Sequence, residues 1–301
     1  MHQDPPPLVH RLGLMGAGAL WPAYVGVVAE LLERGALREL RRFVGISSGS
    51  IVAALTSARL ARFSALQVAD MLRKDAVSID MRIVLFDDHD HRDGRSRVVL
   101  ERGCGLHGAG NIMALVRNEM QRALGDGDAR LLELRDAARI DVGVVAGECP
   151  AREFRTLDAS THPNLPVWVA VRASCSIFPL VAPVRLPGNE QWWVDPALLP
   201  DYRVYLREHA LVGDGALAVV STFGEPPSAW GWRSPSFNHS WLELMCIRLM
   251  TVMAQSNPPN NRCTVLDAVH VPVRGSFALH PGIATVDPPH WVRAGGRQAT
   301  T

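Results

Sequence analysis

Apolar and polar positions alternate along the first sixty residues in a way that predicts short strands and longer helices. Residues 8–15 form a loosely alternating run that ends in apolar residues, as a strand entering a core would. A glycine-containing turn follows, and apolar residues then recur at helical spacing up to Gly35. Residues 43–44 belong to a second strand, which leads through a turn into a helix ending near Leu60. This order predicts a parallel strand pair with a right-handed crossover in an α/β fold.

The rest of the chain continues the same pattern around a mainly helical insertion at about residues 61–140. Three helices are predicted within this insertion, at 65–74, 111–124 and 130–138. Four further strands are predicted, at 140–146, 166–171, 216–221 and 268–273. A strong apolar periodicity predicts one more helix over 241–254.

No linker divides the chain, so we expect residues 1–301 to form one domain. The predicted architecture is a three-layer α/β/α arrangement around a central, mostly parallel sheet. The candidate motifs described below fall within residues 8–205, and the pattern assigns residues 206–301 only weakly.

Composition and charge narrow the classes of function. The 301 residues are 48% hydrophobic, which is enough for a full core. The net charge of +1 gives no electrostatic case for binding nucleic acid or a strongly acidic partner. The five cysteines are scattered without a Cys-x-x-Cys pair, which predicts neither disulfides nor a zinc site and favours a reducing, cytoplasmic compartment.

The sequence predicts neither a secretory signal nor a membrane span. The N-terminus has no basic region followed by an apolar run, so no secretory signal is predicted. Residues 12–29 carry no charge and are long enough to suggest a membrane span. Because Gly13, Gly16 and Pro22 interrupt this run, a strand, a loop and a buried helix of a soluble protein explain it better.

The segment Gly45-Ile46-Ser47-Ser48-Gly49 carries the clearest chemical signal. A Gly-x-Ser-x-Gly string between a strand and a helix is typical of a nucleophile elbow, in which flanking glycines allow strand and helix to approach closely. The positive end of the following helix points at the serine hydroxyl and at any oxyanion beside it. A nucleophilic Ser47 is favoured over a tight turn that is merely rich in small residues.

The loop Gly16-Ala17-Gly18 has two interpretations. Gly-x-Gly after a strand is also found in dinucleotide-binding sites, but Trp21 stands where the third glycine should be. Alternatively, the loop offers backbone N–H groups to an oxyanion. Since parallel strands end at the same edge of a sheet, the loop and Ser47 would be neighbours, and the oxyanion interpretation is the better one.

The group that activates Ser47 is less obvious. An ordinary α/β-hydrolase has several strands before the elbow and a later histidine, whereas this elbow comes after about one strand. None of the 11 histidines falls beside a motif. A carboxylate that activates the serine directly is the alternative, and Asp195, after the apolar residues 192–194, is the candidate.

Taken in order, these segments resemble the patatin-like phospholipases. That family has a glycine-rich oxyanion loop, a Gly-x-Ser-x-Gly elbow, an Ala-Ser-x-x-Ile-Pro-like segment and a later Asp-Gly-Gly/Ala. The corresponding segments of this chain are residues 16–21, 45–49, 173–179 and 195–197.

The resemblance implies a lipid acyl hydrolase of the phospholipase A or lysophospholipase type, a serine esterase with a Ser47–Asp195 dyad. Ser47 would attack the ester, Asp195 would take its proton and later activate water, and N–H groups around Gly16, Ala17 and Gly18 would hold the oxyanion. Neither a metal nor another cofactor is implied. The implied partner is a phospholipid or other acyl ester, which allows contact with the surface of a membrane.

Three positions depart from the family pattern. Leu20 replaces the basic residue of the glycine-rich loop, and Trp21 replaces its final glycine. Pro196 replaces the glycine after the aspartate and holds φ near −65°, where glycine is free to turn positive. These departures keep an alternative open, a catalytically impaired relative that acts by binding lipid or protein.

Other candidate features are weaker. Residues 87–94 are rich in Asp and His, but they miss the register of a calcium loop and are better explained as a solvated surface loop. Successive residues on a strand face opposite ways, so one of Trp192 and Trp193 should be core and the other available to an acyl pocket. The aromatic residues between 230 and 241 are expected to cover the core rather than to form an interfacial surface.

Overall fold

The sheet and its flanking helices confirm the predicted α/β class. The computed structural model of the protein describes residues 8–18, 21–78, 109–149, 151–178, 181–188, 191–199, 202–221 and 268–270. None of the helices within these ranges is long and apolar enough to cross a membrane.

The described residues form one eight-stranded mixed sheet. Its strands are β1 (Arg11–Leu14), β2 (Arg42–Ile46), β3 (Asp141–Cys149), β4 (Glu153–Leu157), β5 (Val184–Arg185), β6 (Trp192–Val194), β7 (Leu217–Ser221) and β8 (Ala268–His270). The α-helices are α1 (Trp21–Glu33), α2 (Ser48–Leu60), α3 (Ala65–Ser78), α4 (Gly110–Leu124), α5 (Leu131–Ala138), α6 (Val167–Ser174) and α7 (Tyr202–Tyr205). A 3₁₀ turn covers Pro196–Leu198, and a π-helical turn covers Leu206–Ala210.

The strand order is β5-β6-β3-β2-β1-β7-β8, with β4 paired to β3 outside this path. Strands β3, β2, β1, β7 and β8 run parallel, as predicted for the core of the sheet. Leu14 at the end of β1 lies opposite Gly45, the residue before the last of β2, so the two strands end within one residue of each other. The loop after β1 and the turn after β2 therefore emerge together at the carboxyl edge of the sheet.

Strand β3 has three partners, and their register determines where two of them meet. Residues 144–145 pair with β2 and β4 at once, so β2 and β4 lie on opposite edges of β3. Residues 147–148 pair with β4 and β6 at once, so β6 takes the same edge as β2. Along this edge, β2 runs parallel to β3 and ends at Ile46, whereas β6 runs antiparallel to β3 and ends at Val194. The two strands thus approach each other end to end, and Ala146 lies between their partners.

Helix α2 is the centre of the helical packing. All of its residues from Ser48 to Arg59 are buried, because it packs on β1, β2 and β3 and also against helices α1 and α3–α6. Its first turn lies very close to the sheet. A Cβ on Gly45 would stand 2.4 Å from the carbonyl carbon and oxygen of Gly49, and a Cβ on Gly49 would stand 2.6 Å from the Met15 carbonyl oxygen. Both elbow glycines are therefore required for this approach, since real Cβ contacts are longer.

A buried ion pair joins the other end of α2 to the helices of the insertion. Arg59 donates to both carboxylate oxygens of Glu119 on α4, at 3.0 and 2.9 Å, and also pairs with Asp75 on α3. Bidentate pairing of this kind satisfies charges that would otherwise be costly to bury.

One predicted strand is wrong: residues 166–171 begin helix α6 instead. Pro166 has an extended conformation at the N-cap, and the helix continues from Val167 to Ser174. All its residues except Trp168 are buried, so the run is apolar on nearly every side and shows no helical stripe. A short apolar run of this kind is equally compatible with a buried strand, and β-branched valines favour a strand.

The other predicted elements are found where the structure describes them. The insertion contains α3, α4 and α5, and the predicted strands at 140–146, 216–221 and 268–273 correspond to β3, β7 and β8. The predicted helix at 241–254, the acidic segment at 87–94 and the aromatic residues between 230 and 241 lie outside the described residues.

Replacing Gly45 by alanine should destabilise the protein strongly. The added methyl group meets backbone atoms of α2 at 2.4 Å, so strand and helix must separate. We expect a loss of roughly 3 kcal/mol or more in the free energy of unfolding, measured by urea denaturation.

Gly35→Ala is the matched control for this measurement. Gly35 has φ +70° but no atom within 4 Å of the added methyl group. It should therefore lose only about 1 kcal/mol from backbone strain. Equal losses for the two variants would contradict the close approach inferred at Gly45.

Candidate active site

Ser47 occupies the turn between β2 and α2 in a strained conformation, with φ 52° and ψ −126°. Strain of this kind persists only where the surroundings hold it. The N–H and hydroxyl of Ser50 both donate to the Ser47 carbonyl, at 2.8 and 2.6 Å. The Ser47 N–H donates to the Ser174 hydroxyl oxygen at 2.8 Å, and that hydroxyl donates to the Val145 carbonyl at 2.6 Å. The turn is thereby anchored to both α2 and β3.

The register of β3 places Ser47 beside Asp195. Ser47 directly follows Ile46 and Asp195 directly follows Val194, the last residues of the two strands that share one edge of β3. Both residues therefore lie at the level of Ala146. The structure thus brings together the two residues predicted as a dyad, and the Ser47 hydroxyl interacts with the Asp195 carboxyl.

Pro196 is compatible with this placement of Asp195. The aspartate has φ −60° and ψ 129°, the extended conformation that a following proline favours. Pro196 is the first residue of a 3₁₀ turn, where its missing N–H has no consequence. Asp195 caps this turn, since its Oδ1 accepts a hydrogen bond from the Ala197 N–H at 2.9 Å. The turn therefore orients the carboxylate without needing glycine at position 196.

Burial gives the Asp195 carboxyl unusual acid–base properties. The residue is fully buried, and burial raises its pKa to about 7, although hydrogen bonding from Ser47 and from the Ala197 N–H opposes the rise. Its Oδ2 has no hydrogen-bond partner of good geometry among the described residues. A carboxylate beside a serine hydroxyl, with a pKa near neutrality, is well suited to accept a proton from that hydroxyl.

The loop predicted to hold an oxyanion lies against Ser47, but one of its donors is engaged. A Cβ on Gly16 would stand 3.4 Å from the Ser47 Cβ, so the loop is in contact with the turn. The Ala17 N–H donates to the Ser48 hydroxyl oxygen at 3.0 Å. Gly18 has φ +52°, which redirects the chain toward α1. The N–H groups of Gly16 and Gly18 remain candidate oxyanion donors, whereas that of Ala17 already has an acceptor.

Sequence reasoning missed the polar groups that hold the dyad. Ser174 supports the Ser47 turn, and the Ser176 carbonyl accepts the Asp195 N–H at 2.9 Å. The buried Arg172 donates to the Ser176 hydroxyl oxygen and, at 2.6 Å, to the Ala182 carbonyl. All of these residues lie in or next to the segment that resembles the family's Ala-Ser motif. The motif is visible in the sequence, but the contacts by which it supports Ser47 and Asp195 depend on tertiary structure.

A cysteine adjoins the dyad without the properties of a nucleophile. Cys175 is buried, and burial, followed by the nearby charge of Asp195, raises the pKa of its thiol far above the ordinary value. A thiol in this state is unreactive. In the part of the chain that the structure describes, no cluster of His, Cys, Asp and Glu could hold a metal ion.

Comparison with known protein families identifies one that matches this chain. The sequence profile described as patatin-like phospholipase matches residues 12–202, which is more than half of the chain and includes Ser47 and Asp195. The chain belongs to the patatin-like phospholipase family. No curated protein matches it closely enough to be reported as a relative.

Several solved structures align with this chain at low sequence identity. VipD from Legionella pneumophila is 13% identical with a TM-score of 0.46, over 98% of this chain and 66% of its own. The type III effector ExoU, a Pseudomonas aeruginosa protein, is 17% identical with a TM-score of 0.49, over 98% and 52%. Human GIVD cytosolic phospholipase A2 is 17% identical with a TM-score of 0.31, over 66% and 26%. This chain therefore spans between a quarter and two thirds of the length of these proteins.

The departures from the patatin-like pattern have different structural outcomes. Trp21 begins α1 as a buried core residue, so the position of the family's last loop glycine is used here for packing. Pro196 is accommodated as described above. Leu20 lies outside the described residues.

The raised pKa of Asp195 predicts a pH-dependent cost to stability. Between the ordinary value of 3.8 and about 7, the folded protein holds a proton that the unfolded chain has lost. Stability therefore falls as pH rises through this window. Asp195→Asn removes the cost, so its free energy of unfolding should exceed that of the wild type by up to about 4 kcal/mol at pH 8, and by less at pH 5.

Denaturant unfolding at both pH values checks this expectation. Asp136→Asn, which neutralises an exposed carboxylate on α5, is the control and should follow the wild type. A difference between Asp195→Asn and the wild type that does not change with pH would contradict a raised pKa.

Proposed function

We propose that the protein is a lipid acyl hydrolase that cleaves carboxylic esters through the dyad Ser47–Asp195. One observation carries the proposal: a serine in a strained strand-to-helix turn adjoins a buried carboxyl whose pKa is raised to about 7. Membership of the patatin-like phospholipase family supports a lipid ester as the substrate class.

In the first half of the reaction, the Ser47 hydroxyl attacks the ester carbonyl carbon and transfers its proton to Asp195 Oδ2. The carbonyl oxygen becomes an oxyanion, which the N–H groups of Gly16 and Gly18 and the positive end of α2 stabilise. The intermediate collapses when the bond to the alcohol oxygen breaks. That oxygen takes the proton from Asp195, and the acyl group remains on Ser47.

In the second half, the roles repeat with water as the nucleophile. Asp195 accepts a proton from water as its oxygen attacks the acyl-enzyme carbonyl. The bond to Ser47 Oγ then breaks, Ser47 recovers the proton, and the carboxylic acid leaves. Burial favours this cycle, because a base with a pKa near the working pH both accepts and returns a proton readily.

A second candidate function is a family member that binds lipid or protein without turnover. The observation that favours it is the engaged Ala17 N–H, which removes one donor from the oxyanion loop. Loss of one such donor lowers catalysis by about 100- to 1000-fold in other serine hydrolases. The two functions differ in whether Ser47 reacts with an electrophile.

A fluorophosphonate probe tests this difference. The wild-type protein should be labelled on Ser47, because the activated hydroxyl displaces fluoride from phosphorus. Ser47→Ala should not be labelled, and Asp195→Asn should react at least about 100-fold more slowly, since general-base catalysis is worth roughly that much.

Ser57→Ala is the matched control for the labelling experiment. Ser57 is a buried serine on the same helix whose hydroxyl makes no hydrogen bond among the described residues. It should react like the wild type. Absence of Ser47-dependent labelling in folded wild-type protein would refute the hydrolase proposal and favour the binding function.

The rate of labelling should depend on pH with one ionisation near 7. Only the deprotonated Asp195 accepts the Ser47 proton, and its pKa is raised to about 7. The second-order rate constant should therefore fall about tenfold for each pH unit below 7 and level off above it. A profile that stays flat down to pH 5 would show that the base has an ordinary carboxyl pKa.

A further inference from the structure

The β5–β6 hairpin extends beyond the level of Ser47 at the carboxyl edge of the sheet. Trp192 pairs with Cys149 of β3, and Cys149 lies three positions past Ala146. At roughly 3.3 Å per residue, Trp192 stands about 10 Å farther along the strand direction than the dyad. Arg185 pairs with Trp192 across the hairpin, so both residues lie next to its turn.

The side chains at this end of the hairpin are an exposed aromatic ring and an exposed cation. Trp192 is 44% exposed, whereas its neighbour Trp193 is 1% exposed and belongs to the core. The Arg185 guanidinium carbon lies 4.4 Å from the centre of the Trp192 ring. Arg185 is exposed and forms no ion pair with any residue that the structure describes. The guanidinium is thus exposed to solvent while it stacks on the aromatic ring.

A second exposed aromatic residue belongs to a segment that contacts Asp195. Four large apolar side chains are exposed among the described residues: Leu66, Phe178, Trp192 and Val212. Two of these, Phe178 and Trp192, lie in the segments that contain Asp195 and its backbone partner Ser176. Phe178 lies two residues after Ser176, whose carbonyl accepts the Asp195 N–H, and Trp192 lies three residues before Asp195.

This combination has the chemistry of a membrane interface. Tryptophan prefers the boundary between hydrocarbon and headgroups, because its ring is apolar while its N–H still finds a polar partner. Arginine extends along apolar surface and places its guanidinium at phosphate oxygens, which it binds in bidentate geometry. Stacking on the ring orients the Arg185 guanidinium and lowers the conformational entropy lost on binding.

We propose that Arg185 and Trp192 form a bilayer-contact surface, in which Trp192 enters the headgroup boundary and Arg185 binds lipid phosphate. The proposal rests on the proposed function, because an acyl ester must leave a bilayer to reach Ser47. Continuity with the site argues for a lipid surface as the occupant. Arg185 and Trp192 pair across the β5–β6 hairpin at the carboxyl edge of the sheet, and Asp195 directly follows β6.

Vesicle binding tests the proposal without requiring turnover. All proteins carry Ser47→Ala, and sedimentation with vesicles of phosphatidylcholine, with and without phosphatidylglycerol, gives the partition coefficient. Trp192→Ala should lower the partition coefficient about tenfold, since part of the exposed ring no longer leaves water on binding. Trp192→Phe should retain most of the binding. Arg185→Gln should lower binding most at low ionic strength.

Leu66→Ala is the matched control, because it also removes an exposed apolar side chain, 64% exposed, but on α3. It should bind vesicles like the parent protein, and thermal unfolding should confirm that every variant is folded. Absence of vesicle binding by the parent protein, or equal losses for Trp192→Ala and Leu66→Ala, would overturn the proposal. If the hairpin instead binds a protein, Trp192→Ala will partition like the parent.

The two proposals fail in different measurements. The hydrolase proposal fails if the wild-type protein shows no Ser47-dependent labelling, whatever its affinity for vesicles. The bilayer-contact proposal fails if vesicle binding by the Ser47→Ala protein does not depend on Trp192, whatever the labelling result.

Discussion

The candidate site depends on one edge of strand β3, which β2 and β6 share by approaching from opposite ends. Strand β4 occupies the other edge, so β6 pairs beyond the point where β2 stops. The turns that carry Ser47 and Asp195 consequently meet beside Ala146. If β2 and β6 lay on opposite edges of β3, the two turns would be two strand spacings apart, at about 4.8 Å for each spacing. The hydrogen-bonding register of β3 therefore brings Ser47 and Asp195 together before any side-chain contact does.

The chemistry of the pair follows from what surrounds the carboxyl. Burial is the main influence on the pKa of Asp195, and no cation among the described residues lowers it. The nearby Arg172 binds Ser176 and the Ala182 carbonyl instead. A cation paired with Asp195 would have lowered its pKa and made it a weaker base. Keeping Arg172 engaged elsewhere thus preserves a base that titrates near neutrality.

Serine hydroxyls provide the hydrogen bonds that regular backbone pairing cannot provide at these turns. A strained turn leaves N–H and carbonyl groups that regular strand or helix pairing does not fully satisfy. Ser50 and Ser174 bind the carbonyl and N–H of Ser47, and Ser48 binds the loop after β1. The density of serines around both motifs therefore has a structural reason as well as the nucleophilic one. The same contacts connect the loop, the turn and β3 into one unit.

The sequence by itself determined the local features: the parallel β1–β2 pair, the Ser47 turn with Gly45 and Gly49, and the candidacy of Asp195. Each depends on neighbours a few residues apart, where periodicity and turn chemistry are informative. Only the tertiary structure decided that residues 167–174 are helical, that the Ala17 N–H is engaged and that Pro196 suits the turn after Asp195. These outcomes depend on burial and on hydrogen bonds between segments distant in sequence. The local sequence pattern does not identify such partners. The clearest example is β6, which pairs with the same edge of β3 as β2 does.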